Sequence, residues 1–159
     1  MITDELLRFS NAQTLPTTAG TNAPSTNIVN LVAPRDIGHG QPLYVVLTFS
    51  ADTAAAATSV LTVTLESDSV DTGFATAKTV QATVVLDATA LAGEQIVFQI
   101  PQIIGQRAYK DAGSGVEEPF IALRYAVSTA NITAGTVTAD IVMDVQDGKK
   151  FYDSGFTVA

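Results

Sequence analysis

From Asn27 onward the chain alternates apolar and polar residues with a period of two, the pattern of half-buried strands. Residues 42–50 (PLYVVLTFS) place Leu43, Val45, Leu47 and Phe49 on one face. Residues 59–66 (SVLTVTLE) set Leu61, Val63 and Leu65 against Thr62, Thr64 and Glu66. Residues 79–86 (TVQATVVL) set Val80, Ala82, Val84 and Leu86 against Gln81 and Thr83. Residues 94–101 (EQIVFQIP) give Ile96, Phe98 and Ile100, and residues 120–128 (FIALRYAVS) give Ile121, Leu123, Tyr125 and Val127. Residues 136–145 (TVTADIVMDV) direct Val137, Ala139, Ile141, Met143 and Val145 inward and Thr138, Asp140 and Asp144 outward. With a short first strand at 27–32 (NIVNLV), this predicts seven strands separated by Gly, Asp, Ser and Ala-rich turns. Their β-branched enrichment and spacing predict an all-β fold, an antiparallel jelly-roll-like β-sandwich over residues 27–147.

Outside that block the period is lost. In residues 1–26, Thr3 is placed to cap a short helix with Asp4 and Glu5 in its first turn and Leu6, Leu7 and Phe9 on its apolar side. The Thr, Asn, Ala and Pro-rich stretch that follows reads as an extended arm. Residues 148–159 form a C-terminal tail carrying Phe151, Tyr152 and Phe156. Aromatic side chains are costly to leave in water, so the tail is expected to fold back on the sandwich or to pack on another chain. Two connections, residues 67–78 and 102–119, are long enough to suggest function or mobility. The second concentrates Arg107, Tyr109 and Lys110, and Arg and Tyr are enriched at protein interfaces.

Composition narrows the function classes. At 159 residues one domain is expected, large enough to hold its own core. The absence of cysteine excludes disulfides, thiolate metal sites and a cysteine nucleophile, and fits a reducing cytoplasm. Eight basic against sixteen acidic residues give a net charge of −8, which repels a nucleic-acid backbone. Asp4 and Glu5 stand where a signal peptide would be basic, and no apolar run approaches the ~20 residues of a membrane span. Only 15% of residues are charged while 47% are hydrophobic, which favours a surface that meets a partner.

Candidate chemistry is thin. The one histidine, His39, sits between Gly38 and Gly40 with neither a Gly-x-Ser-x-Gly elbow nor further histidines to serve it, and reads as a turn residue leading into the second strand. The Gly113–Ser114–Gly115 run lies in the long loop and lacks the strand-to-helix context of a nucleophile. Residues 66–73 (ESDSVDTG) miss the register of a calcium loop. Asp140 and Asp144, four residues apart on one strand, are separated by roughly 13 Å and cannot act as a pair. No catalytic set, cofactor site or metal site is expected.

The ordered set of features is more informative than any one of them. The start MITDELLRFSNAQ, the turn and strand APRDIGHGQPLYVV, the alanine-rich SADTAAAATSVLTVTLESD, and the late RYAVSTANITAGTVTADIVMDVQD running into FYDSGFTV span nearly the whole chain. In this order they resemble the capsid cement (decoration) proteins of tailed bacteriophages, of the Bordetella-phage type. The resemblance implies a jelly roll without enzymatic activity, made in the host cytoplasm and placed on the outer capsid surface. There it would tie neighbouring major capsid protein subunits together, as a homodimer on a two-fold axis. The residues expected to contact the capsid or another subunit are Leu6, Leu7 and Phe9 of the arm, Arg35, the loop residues Arg107, Tyr109 and Lys110, and Phe151, Tyr152 and Phe156 of the tail. Two other classes stay open: a carbohydrate-binding, lectin-like sandwich on a virion surface, and a small hydrolase.

Overall fold

The computed structural model describes residues 7–31, 42–75, 78–101, 108–111 and 113–143. Thirteen strands are described. In chain order they begin with β1 (Arg8–Thr14), β2 (Asn22–Pro24), β3 (Val29–Asn30), β4 (Tyr44–Phe49) and β5 (Ala54–Ala55). β6 (Val60–Asp68), β7 (Thr79–Asp87), β8 (Gln95–Gln99) and β9 (Tyr109–Lys110) follow. β10 (Glu117–Glu118), β11 (Phe120–Ser128), β12 (Ile132–Ala134) and β13 (Thr136–Val142) complete the set.

Two antiparallel sheets carry the fold. The first has the order β1-β13-β4-β8, and the second β2-β11-β6-β7 with β3 also on β11. Successive long strands cross between the sheets at every step but β6 to β7, which pair as neighbours in the second sheet. Counting the interrupted β2–β3 as one strand, the eight fall in the order of a jelly roll, a sandwich of two Greek keys. The connectivity, which alternation cannot encode, is thereby set.

The core lies between the sheets and uses the faces that alternation predicts. Val45, Leu47 and Phe49 of β4, Leu61, Val63 and Leu65 of β6, Ile121, Leu123, Tyr125 and Val127 of β11, and Val137, Ala139 and Ile141 of β13 are all buried. β6 and β11 run in unbroken register over nine residues, from Phe120 opposite Asp68 to Ser128 opposite Val60.

Several details depart from the pattern. The segment read as an arm supplies β1, paired with β13, and β2, paired with β11, so the sandwich begins well before residue 27. Phe9 lies in β1 and not in a helix, and it is wholly buried; Thr3 to Leu6 lie outside the described residues. The strand predicted over 27–32 is only two residues long. Val80 was expected inward, but β7 is bulged: Ala82 opposes Leu65 while Val80 opposes Glu66, leaving Gln81 as the extra residue. The bulge turns Val80 out, where it is exposed, and Gln81 toward buried Ser67, to which its Nε2 donates at 2.8 Å. At the end of β13 the expectation is inverted at two positions. Met143 is exposed, and Asp140 is buried because Arg8 Nε donates to its Oδ1 at 2.7 Å. Val145 and Asp144 lie outside the described residues.

Candidate interaction site

The jelly-roll course brings connections to two opposite ends of the sandwich. At one end, here the entry end, β1 starts, β3 ends, β4 starts, β6 ends, β7 starts, β8 ends, β11 starts and β13 ends. The described parts of residues 69–78 and of 100–119 lie there. The far end holds residues 15–21, 50–59, 88–94 and 129–135.

Of the residues expected at an interface, the described ones divide sharply. Leu7 is half-buried against the core, and Phe9 is wholly within it. Tyr109 is also a core residue: its hydroxyl donates to the Pro101 carbonyl at 2.6 Å, and burial pushes its pKa up to about 12. The side chains of Phe9 and Tyr109 are thus committed to their own fold, because a strand inside a sandwich turns alternate residues into the core. Lys110, the next residue along, is exposed at the entry end. Leu6, Arg35, His39, Arg107, Phe151, Tyr152 and Phe156 lie outside the described residues.

A buried polar network beside this end was not anticipated. Arg124, on the outer face of β11, donates from Nε and Nη2 to the two carboxylate oxygens of Glu66 at 2.8 and 2.9 Å. Its Nη2 also reaches the Phe74 carbonyl, and its Nη1 reaches Asn22 Oδ1, both at 2.9 Å. One guanidinium therefore joins β11, β6, β2 and the 3₁₀ turn Asp71–Ala75. Ser67, the next residue along β6 from Glu66, donates from Oγ to Glu118 at 2.5 Å, and Thr79 Oγ1 donates to the same carboxylate at 2.8 Å. Lys78 Nζ stands 3.1 Å from Asp68 Oδ2, a charge pair without a well-aligned hydrogen bond. The bidentate geometry is the strong form of a carboxylate–guanidinium contact. By alternation Glu66 and Arg124 both fall on the outward faces of their strands, where a charge reads as solvated; their burial becomes visible only with the contacts from Asn22 and the Phe74 carbonyl that cover them. The Arg124–Glu66 and Glu118 contacts fix the entry-end connections to the second sheet, while Asp68 Oδ2 has the charge of Lys78 beside it but no hydrogen bond.

The exposed large apolar residues are Ile28, Val70, Val80, Val85, Val97, Val116 and Met143, all aliphatic or thioether and none aromatic among the described residues. Among those residues no group of three or more His, Asp or Glu side chains is placed to hold a metal ion, and no helix is long and apolar enough to cross a membrane. The arrangement offers surface for contact and, within the described residues, no assembled nucleophile and base.

No curated protein matches the chain. A family model, Bbp16, matches residues 9–141, from the first buried residue of β1 to the penultimate residue of β13, and so covers the whole sandwich. The chain belongs to the Bbp16 family, a phage-associated family whose name points to Bordetella phage.

Proposed function

We propose that this chain is a structural virion protein that binds the outside of an assembled bacteriophage capsid and cements neighbouring major capsid protein subunits. The observation that carries this reading is the family match across the entire jelly roll. A closed sandwich with exposed apolar side chains at its strand ends suits a clamp. It presents a rigid body to two neighbours at once, and each further contact becomes intramolecular once the first has formed. In this reading the chain has no catalytic role and no cofactor, its partners are the major capsid protein and a second copy of itself, and neither nucleic acid nor membrane is engaged.

Co-sedimentation with matching phage shells that lack the protein, before and after expansion, tests the proposal. Stoichiometric binding is expected, with loaded shells resisting heat and osmotic shock better than bare ones. Absence of binding to either shell form would overturn it.

A further inference from the structure

The two ends of the sandwich differ in kind. The far-end connections, all within the described residues, contain no Lys or Arg, and their large apolar side chains Leu15, Leu91 and Ile132 are buried. What they show to solvent is small and neutral or acidic: a run of alanines at 54–57, threonines, Asp52 and Glu94. The entry end is the reverse. Val70, Val116 and Met143 stand at its strand ends with about half of each side chain exposed (49%, 51% and 56%), and the bulge exposes Val80 near the start of β7; Val85, 67% exposed, lies within β7 and belongs to neither set of connections.

The cations follow the same division. Among the described residues the basic side chains are Arg8, Lys78, Lys110 and Arg124. Arg124 is buried in mid-strand, and the other three belong to the entry end. Arg8 and Lys78 are anchored by Asp140 and Asp68, while Lys110 is exposed and forms no ion pair among the described residues. Asp71 and Glu117 are exposed at this end too, so its charge is mixed, in a chain whose net charge is −8.

From this segregation we infer that the entry end is the face that seats on the capsid, and that the far end points to solvent. The inference rests on the cement reading and adds the orientation. Its occupant is the major capsid protein, through a protein surface that offers apolar side chains to Val70, Val116 and Met143 and a carboxylate to Lys110. An interface needs a desolvated apolar centre with charges at its rim, and the entry end holds both components. The far-end connections carry no cation to pair with a carboxylate and expose no large apolar side chain to insert. A polyanion such as nucleic acid is a poor occupant, because Asp71 and Glu117 lie among the few cations.

Three variants read this out by co-sedimentation at limiting protein, after thermal unfolding has shown each to be folded. Val116→Asp with Met143→Asp places two charges on the entry end. Lys110→Glu reverses its unpaired cation without touching apolar surface. Ala56→Lys with Ala92→Lys alters the far end by as much charge, at two exposed positions. The expected result is at least a tenfold loss of apparent affinity for the paired aspartates, a smaller salt-dependent loss for Lys110→Glu, and wild-type binding for the far-end pair. Wild-type binding by both entry-end variants, or loss confined to the far-end pair, would overturn the orientation while leaving the cement reading standing. Failure of the wild-type chain itself to bind would remove both.

Discussion

Arg124 shows how one residue can hold several elements. Its removal would leave Glu66 buried with only two long contacts, from Thr64 Oγ1 and the Lys78 amide, both at 3.3 Å. Breaking a buried pair from one side costs about 3–5 kcal/mol. Arg124→Ala is therefore expected to lower Tm by roughly 10 °C in a domain of this size. Arg124→Met combined with Glu66→Leu, which removes both charges together, should recover most of that loss in the same thermal scan. The hydroxyl of Tyr125 crosses the core to Ser10 Oγ at 2.8 Å, and burial raises its pKa as it does that of Tyr109. The sign follows directly. Native tyrosines keep their protons while unfolded ones ionise near pH 10, so the stability they contribute is complete below pH 10 and lost as pH rises toward the value of about 12 at Tyr109. Denaturation followed at increasing pH should show the loss beginning near pH 10. Tyr125→Phe should shift it upward while costing about 1 kcal/mol at neutral pH for the lost hydrogen bond.

At the scale of elements, the longest edge strand among the described residues is β7. It ends the second sheet, it has no charged residue from Thr79 to Leu86, and none of its nine residues is fully buried. An uncharged free edge is a template for another strand, which natural monomers usually block with charge or proline. This edge therefore suits the second copy in the proposed homodimer. Two β7 strands paired antiparallel about Val85 would bring together two side chains that are each 67% exposed. Val85→Lys is expected to halve the mass measured by light scattering and leave Tm unchanged, since the side chain packs on nothing in its own chain's core. A wild-type chain already monomeric, or a variant still dimeric, would take β7 out of the interface. The main strands were legible because each packs a single face on the core and so alternates. β1 was not, because two irregularities, between Arg8 and Ser10 and between Ser10 and Gln13, break its period, and Ala12 between them has φ of 47°. Nor was the bulge at Gln81, since nothing in TVQATVVL itself says which residue is the extra one. The interface residues were the least legible. Phe9 and Tyr109 look like exposed anchors when their surroundings read as arm and loop, and the neighbouring strands claim both for the core.

For the molecule as a whole, the question is how much of the chain the sandwich needs. Among the described residues the buried hydrophobic core runs from Phe9 to Ile141, and the half-buried residues packed on it begin at Leu7. The family match, over residues 9–141, likewise stops short of the aromatics of residues 148–159. A chain ending at Asp147 should therefore unfold cooperatively at nearly the wild-type Tm. In the cement reading the tail contributes outside the fold, so the same shortened chain should sediment with shells at reduced occupancy or lose its dimer. The thermal scan separates two roles that sequence composition left open. Val46 and Val142 face outward from the first sheet by the alternation of β4 and β13, yet both are buried. A fall in Tm of more than about 5 °C, worth a kilocalorie or more in a domain of this size, would mean that the tail stabilises its own sandwich. Unchanged Tm, oligomer and occupancy together would remove Phe151, Tyr152 and Phe156 from the contacts that hold the protein to a shell.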